Sequence, residues 1–230
     1  MLSIVNKEIS HTALKALEKQ GTVLQFETQG ITYNAIQNHP DIFLFQLNNT
    51  TAIAAPNTPE NIQDDLNLKG FNIILGEAPV GLDYPRTAFY NAVRTPLYLI
   101  HNSSITDSVI KQNSTDVITL NIRQGYARCN LVALPNNSFM TSDYGILKTL
   151  KNEELPVLFI NPEPILLKDF PHGFFGGCCG VSKKYFFFNG ALKYFTEKKE
   201  IEKFVNESQL ELIELSSEKP VDIGSILIFE

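Results

Sequence analysis

An internal repeat constrains this chain more than any other feature of its sequence. A short strand-like run, Thr50–Ala54, is followed by a helical pattern that begins at Pro59 and ends before Gly70, and then by a second strand-like run, Phe71–Leu75. Proline is favoured in the first turn of a helix, and glycine just beyond the last turn. The same order of strand, helix and strand recurs along the chain. In the five copies, the strand before the helix begins at Leu2, Thr50, Pro96, Asn137 and Lys184.

The spacing of these repeats accounts for the whole chain. Successive units start 41 to 48 residues apart, and the step from the last unit through the C-terminus back to Leu2 has a similar length. We therefore expect one α/β domain over residues 1–230, built from five ββαβ-type units. Each unit also needs one preceding strand, which we call its first strand. The candidates are Ile42–Leu47, Tyr90–Val93, Asn130–Leu134, Cys179–Ser182 and Ile226–Phe229. Because the last of them ends the chain, the N-terminal strand must complete that unit, which would close a ring and hide the sheet edges.

Composition excludes several classes of function. The chain has 230 residues, of which 43% are hydrophobic, and a net charge of −6, so it lacks the basic surface that binds nucleic acid or anionic membranes. No apolar stretch reaches the ~20 residues that a membrane helix needs, and no signal-peptide pattern opens the chain. Three cysteines, an odd number, favour reduced thiols and a cytoplasmic location. The expected partner is a small molecule, and nothing in the pattern predicts an oligomeric state.

The cyclic array of five units resembles the pentein fold, also called the guanidine-modifying-enzyme (GME) fold, a five-bladed β/α propeller around a central channel. Residues Gly125–Asn130 and Gly176–Ser182 look most like an uncharacterised bacterial branch of that fold. The family includes arginine and agmatine deiminases, dimethylargininase, glycine amidinotransferase and a non-catalytic ribosome anti-association factor. The resemblance implies a site at the mouth of the channel, where the first strands of the units converge.

The resemblance also implies where a catalytic pair would stand. Catalytic penteins carry a nucleophilic cysteine late in the chain, in a Gly-Gly-x-x-Cys-x-Ser context. Here Gly176, Gly177 and Ser182 match that context, and Gly180 takes the position of the cysteine. The general-base histidine of the family falls on Ala127. The alignment therefore implies a pentein that lacks the usual pair and is neither a standard deiminase nor an amidinotransferase.

Cys178 and Cys179 are nevertheless the candidate nucleophiles, with His172 as the candidate base, because a two-residue shift of the alignment restores a cysteine. A nucleophilic cysteine must be held as a thiolate by a nearby base, cation or helix terminus. In the competing, structural interpretation one cysteine packs inward as a small hydrophobic residue and the other lines the channel. Together with Cys129, these residues could form a zinc site only by converging in space. We therefore predict neither a metal site nor a cofactor.

Polar residues that precede the first strands of other units form the candidate ligand-binding set. They are His39, Asp41, Asn91, Arg128 and Asp222. A carboxylate such as Asp41 could hold a cationic guanidinium or amine, and Arg128 could bind a substrate carboxylate through two hydrogen bonds. The alternatives are that Asp41 caps a turn after Pro40 and that Arg128 lies on the surface or pairs at the rim.

Three functions fit this pattern. The first is a binding protein, or a pentein with altered chemistry, for a small guanidino or amino-acid-like ligand in the central channel. The second is a cysteine-dependent hydrolase of C–N bonds that uses Cys178 or Cys179. The third is a non-catalytic interaction module, which would show a filled channel and a large exposed apolar patch.

Overall fold

The computed structural model describes residues 1–230 and contains fifteen strands and seven α-helices. The strands are β1 Leu2–Asn6, β2 Thr22–Phe26, β3 Leu44–Gln46, β4 Thr51–Ala54, β5 Asn72–Leu75, β6 Val93–Arg94, β7 Tyr98–His101, β8 Ile118–Asn121, β9 Leu131–Ala133, β10 Phe139–Thr141, β11 Val157–Phe159, β12 Cys179–Val181, β13 Tyr185–Phe188, β14 Glu211–Glu214 and β15 Leu227–Phe229. The α-helices are α1 His11–Glu18, α2 Pro40–Phe43, α3 Glu60–Leu68, α4 Ser108–Gln112, α5 Ala127–Asn130, α6 Tyr144–Asn152 and α7 Lys198–Glu207.

The strands form five separate three-stranded sheets, one for each repeat that the sequence predicts. In each sheet the first strand is antiparallel to the middle strand, and the middle strand is parallel to the third, which follows a helical crossover. We number the units 1 to 5 by their sheets, β3-β4-β5, β6-β7-β8, β9-β10-β11, β12-β13-β14 and β15-β1-β2. In unit 5, Ser3 pairs with Ile228, so both chain ends build one sheet, as predicted.

The crossover helices begin where their capping residues predict. The Ser10 hydroxyl accepts a hydrogen bond from the Ala13 N–H at 3.2 Å and starts α1, and α6 begins in the same way after Asp143. Such caps satisfy backbone donors that have no partner inside the helix. Residues four apart, Ala13 and Leu17, are both buried, so α1 packs one apolar face on its sheet. The helix predicted near 191–204 is shorter, because a 3₁₀ turn occupies its first residues and α7 begins only at Lys198.

In units 1 and 3 the first strand begins later than the sequence indicates, because a helical turn precedes it. The strands predicted from Ile42 and Asn130 start at Leu44 and Leu131, after the single turns α2 and α5. In unit 4 a 3₁₀ turn over 176–178 takes the same place. These turns carry several of the candidate site residues into the interior at one end of the sheets.

Hydrogen bonds connect the units in cyclic order. Unit 2 donates to unit 1 from Arg94 Nε to the Leu47 carbonyl at 3.1 Å, and unit 3 donates to unit 2 from the Arg128 N–H to the Asn91 carbonyl at 3.0 Å. Unit 3 also donates to unit 4, from the Arg128 guanidinium to the carbonyls of Gly176 and Cys179, both at 3.1 Å. Unit 5 donates to unit 4 from the Ile226 N–H to the Cys179 carbonyl at 3.0 Å, and unit 1 donates to unit 5 from Gln46 Nε2 to the Ile228 carbonyl.

The core extends from sheet to sheet through shared apolar side chains. Strand β13 is buried on both faces, as its four aromatic residues predict. Phe186 and Phe188 belong to a cluster that also contains Val132 of unit 3, whereas Phe187 belongs to a cluster with Val5 of unit 5. A cavity of about 790 Å³ lies between the first strands of all five units. None of the helices has both the length and the apolar character to cross a lipid bilayer.

Replacing Arg128 by methionine should lower the free energy of unfolding by about 1.5–3 kcal/mol, because it removes two charge-assisted hydrogen bonds between units 3 and 4. Urea denaturation measures the change. Arg123→Met is the matched control, since that side chain is exposed. Equal stability of the two variants would contradict this role of Arg128.

Candidate functional site

Four of the predicted ligand-binding residues converge at one end of the sheets, where the chain approaches units 1, 2 and 5. Together with a residue that the prediction left out, they form what we call the polar cluster: His39, Asp41, Asn91, Cys129 and Asp222. Every member is buried. Their backbone positions are set by the segments that immediately precede the first strands, so the units bring together residues that are far apart in sequence.

Asp41 lies at the centre of the polar cluster. Its Oδ2 atom accepts hydrogen bonds from Ser225 Oγ at 2.6 Å and from Cys129 Sγ at 3.0 Å. Its carbonyl accepts one from Asn91 Nδ2 at 3.1 Å, and its N–H donates to the Gly224 carbonyl at 3.4 Å. Burial raises the pKa of the Asp41 carboxyl, although these side-chain hydrogen bonds oppose the effect. Asp41 is therefore part of the interior and does not cap an exposed turn.

Cys129 is the cysteine that belongs to the cluster. Its Sγ atom lies 3.3 Å from Asn91 Nδ2, and its N–H donates to Asn91 Oδ1 at 3.1 Å. Burial, and then the neighbouring carboxyl group of Asp41, raise the pKa of the Cys129 thiol well above its usual range. Sequence reasoning named Cys129 only as a conceivable zinc ligand and did not name Ser225. The positional rule that found Asp41 would have placed both in the ligand-binding set, because all three lie within three residues of a first strand.

His39 is a neutral member of the cluster. Burial lowers the pKa of its imidazole to about 4, so the ring is uncharged at physiological pH. Its Nδ1 atom lies 3.9 Å from Asp222 Oδ1, and this contact is consequently not an ion pair near pH 7. Both His39 Nδ1 and Asp41 Oδ1 are buried without a hydrogen-bond partner.

Asp222 is held by hydrogen bonds from backbone N–H groups, and its side chain occupies space that glycines leave free. Its carboxylate accepts hydrogen bonds from the N–H groups of Phe174 and Gly224, both at 3.0 Å, and burial raises its pKa to about 6. A Cβ atom at Gly177 would lie 1.9 Å from Asp222 Oδ1. A Cβ at Gly224, where φ is +69°, would lie 2.2 Å from the His39 Cβ. The glycine-rich stretch around 176 thus makes room for a carboxylate of another unit.

A small cavity of about 100 Å³ opens against this cluster. His39, Cys129 and Asp222 line it, whereas Asp41 and Asn91 do not. Most of its wall is apolar, and the rings of Tyr33 and Phe174 contribute to it. The cavity therefore presents one carboxylate, one thiol and the imidazoles of His39 and His172, the predicted base, within a largely aromatic surface.

Cys178 and Cys179 lie in the apolar core of unit 4 and outside this cavity. Both are fully buried, and their Sγ atoms donate to backbone carbonyls, that of Cys179 to Phe175 at 3.0 Å. Burial raises the pKa of both thiols, and no hydrogen bond joins either one to His172, whose Nδ1 contacts the Gly173 carbonyl. The packing thus favours the structural interpretation of both cysteines, with neither of them on the channel, over the catalytic one.

Two further candidate positions serve contacts between units. A Cβ at Gly180 would lie 2.7 Å from the Ile226 Cβ, so the position that the alignment gave to a nucleophile leaves no room for a cysteine side chain. Arg128 lies beside the cluster and uses its guanidinium to hold Gly176 and Cys179. Two of its five N–H donors bind these protein carbonyls, and the side chain also lines the cavity of about 790 Å³.

The raised pKa of Asp222 predicts how stability depends on pH. Burying the ionised carboxylate is unfavourable, so the native state is more stable when Asp222 is protonated. This stabilisation is present below about pH 4 and is lost as pH rises through 6. Relative to Asp222→Asn, the wild type should lose about 2.5 kcal/mol between pH 4 and pH 8. Urea denaturation of both proteins across this range measures the difference. A difference that does not change with pH would contradict the assignment.

The comparisons with known proteins agree with this architecture. One similar structure, DDAH from Pseudomonas aeruginosa as a cysteine-to-serine variant complexed with citrulline, has 10% sequence identity and a TM-score of 0.52, with 93% of this chain and 91% of that chain covered. A dimethylarginine dimethylaminohydrolase adduct with S-methyl-L-thiocitrulline has 9% identity, the same coverage and a TM-score of 0.57. SxtG, an amidinotransferase from Microseira wollei in the saxitoxin biosynthetic pathway, has 11% identity and a TM-score of 0.50 over 93% and 87% of the two chains.

These structures confirm the predicted pentein fold. At such low identity they show the fold and leave the chemistry open. A comparison with curated proteins finds no match. Residues 4–227 match a family profile described as a family of unknown function, DUF6873. The chain therefore belongs to the DUF6873 family.

Proposed function

We propose that the five units form one closed, five-bladed ring around a channel and that the protein binds a small guanidino or amino-acid-like ligand at one end of it. The cyclic order of the hydrogen bonds between units supports the ring, since it links unit 5 back to unit 1 through Gln46. The cavity lined by all five first strands supports the channel. The usual cysteine–histidine pair of the fold is not part of this proposal.

The observation that carries the ligand proposal is the carboxylate of Asp222. It lines the small cavity, is buried, and has no lysine or arginine within ion-pairing distance. A cationic group that entered the cavity would pair with this carboxylate, and the neighbouring rings of Tyr33 and Phe174 would add cation–π attraction. The volume of about 100 Å³ suits the head group of a ligand, so the rest of the ligand would lie toward the opening.

The similar structures favour the same chemical class. One of them holds citrulline, and another belongs to an amidinotransferase. These names concern those proteins. In this chain, a guanidinium or amidine is the planar cation that Asp222 could hold through two parallel hydrogen bonds.

A thermal unfolding series tests the proposal. Arginine and agmatine should raise the Tm with increasing concentration, whereas citrulline, which is uncharged at its ureido group, should have a much smaller effect. The shift should be larger at pH 8 than at pH 5, because Asp222 is ionised only above about pH 6.

Asp222→Asn should abolish the ligand-dependent shift, and Asp83→Asn is the matched control because Asp83 is exposed and pairs only with Arg86. If arginine stabilised wild type and Asp222→Asn equally, the ligand would bind elsewhere. If no cationic compound raised the Tm of the wild type, the proposed function would be wrong.

A hydrolase remains the second candidate function, and the position of His39 favours Cys129 over Cys178 and Cys179 as its nucleophile. The Cys129 Sγ atom lies within 4.8 Å of a ring nitrogen of His39, and both residues line the small cavity. A neutral imidazole near a thiol is the arrangement that general-base activation needs.

Labelling with a cysteine-reactive electrophile tests this second candidate. One similar dimethylarginine dimethylaminohydrolase structure is an adduct with 4-chloro-2-hydroxymethylpyridine. We expect this compound to add one label, seen by intact-protein mass spectrometry, that is lost in Cys129→Ser and kept in Cys178→Ser. A label on Cys178 or Cys179, or no label at all, would argue against a nucleophilic Cys129.

The interaction module is the least supported of the three functions. Its expected filled channel is not observed, because the cavity between the first strands has a volume of about 790 Å³. The most exposed apolar side chains, Leu68, Ile118 and Tyr144, belong to three different units.

A further inference from the structure

Three side chains of the polar cluster place metal-binding atoms close together. A ring nitrogen of His39, a carboxylate oxygen of Asp41 and the Sγ atom of Cys129 all lie within 4.8 Å of one another, and all three residues are buried. Two of these residues come from the turn before unit 1 and the third from the turn before unit 3. This set differs from the Cys178, Cys179, Cys129 and His172 set considered from the sequence, of which only Cys129 is included.

A second observation points to a missing partner at the same place. Buried polar atoms in native proteins nearly always have a hydrogen-bond partner, and exceptions call for an explanation such as an ion. Here His39 Nδ1 and Asp41 Oδ1 are both buried and unpartnered, in neighbouring residues of one turn. An imidazole nitrogen and a carboxylate oxygen are both electron-pair donors, so a cation would satisfy the two atoms together.

We propose that His39, Asp41 and Cys129 bind one Zn²⁺ ion. A thiolate, an imidazole and a carboxylate are a donor set that suits zinc and excludes calcium and magnesium, which prefer oxygen ligands. With bond lengths of about 2.0–2.3 Å, the ligand atoms of a tetrahedral zinc ion lie roughly 3.3–3.8 Å apart. Side-chain movements of about 1 Å or less bring the three atoms to this spacing from their present separation.

The charges at this position balance when zinc is bound. The Cys129 thiol releases its proton to solvent, and the thiolate and the Asp41 carboxylate together neutralise the two positive charges of the ion. The cost of burying Asp41 as an anion is then offset by the metal. The carboxylate of Asp222 keeps its own charge and still faces the cavity.

The surrounding residues supply the outer contacts that metal ligands need. Ser225 Oγ donates to Asp41 Oδ2 at 2.6 Å, and Asn91 Nδ2 lies 3.3 Å from Cys129 Sγ. Such partners fix the tautomer and the direction of the ligands and are worth ~10–100-fold in metal affinity.

Three protein ligands leave the fourth zinc position open. Because His39 and Cys129 line the small cavity, that position faces the cavity, where a water molecule or a ligand atom can reach it. Open fourth positions are typical of catalytic zinc sites, whereas structural sites have four protein ligands. The zinc proposal does not depend on the guanidino-ligand proposal, and each is measured separately.

Zinc binding to the full-length protein, freed of metal with a chelator, provides the test. In competition with a chromogenic chelator we expect one Zn²⁺ per chain, with release of at least one proton per ion near pH 7. Cys129→Ser should weaken binding by more than about 100-fold, which exceeds the loss of an outer contact. Cys178→Ser, the control in the same reduced state, should bind as the wild type does.

A second readout keeps the proposal testable if Cys129→Ser unfolds. Cobalt(II) bound to the wild type should give a thiolate-to-metal charge-transfer absorption, which His39→Gln should weaken and Cys178→Ser should leave unchanged. The proposal is overturned if the wild type binds no stoichiometric Zn²⁺, or if binding is the same in Cys129→Ser and His39→Gln as in the wild type. Thermal shifts with arginine in the presence of chelator test the ligand proposal on its own.

Discussion

Every sheet in this protein depends on its neighbours, because three strands and one helix cannot bury both faces of a sheet. Strand β13 illustrates the constraint, since Phe186 and Phe188 share a cluster with residues of unit 3 while Phe187 lies in the core of unit 5. The hydrogen bonds of Arg94 and Arg128 reach across to carbonyls of adjacent units. A unit removed from its neighbours would expose the apolar face that its helix does not cover, together with unpaired backbone groups. No unit is therefore stable without its neighbours.

The same constraint creates the candidate site. The segments that lead into the first strands meet at one end of the sheets, where backbone groups need partners that only another unit can provide. Asn91 shows the result: its side chain bonds to the Asp41 carbonyl, to the Cys129 N–H and to the Cys129 sulfur, and so ties units 1, 2 and 3 together. Residues that hold the units in register are therefore also residues of the site, and a substitution there affects stability and binding at once.

The repeat order, the joining of the chain ends and the buried aromatic strand could be predicted from the sequence, because periodic apolar runs and helix caps are local signals. The site was predicted only in part. The predicted members His39, Asp41, Asn91 and Asp222 were found because they precede first strands. Cys129 was left out of the ligand-binding set because the conspicuous Cys178-Cys179 pair attracted the catalytic interpretation. The short turns α2 and α5 decide which side chains point inward, but they lack a sequence signal as strong as the capping residues of the longer helices. Which glycines make room for Asp222 is likewise a three-dimensional property, since Gly177 and Asp222 are far apart in the chain.

The electrostatics of the cluster are the common basis of the two proposed cation sites. Asp41 and Asp222 are both buried, and burial raises the pKa of each, but the nearest imidazole, that of His39, is itself kept neutral by burial. The site thus contains two carboxyl groups and no side-chain cation that pairs with either. Asp41 lies behind the wall with a thiol and an imidazole beside it, which suits a metal ion, whereas Asp222 lines the cavity among aromatic rings, which suits an organic cation. Because each carboxyl group has its own surroundings, the two proposed binding events would depend on different residues and can be tested separately.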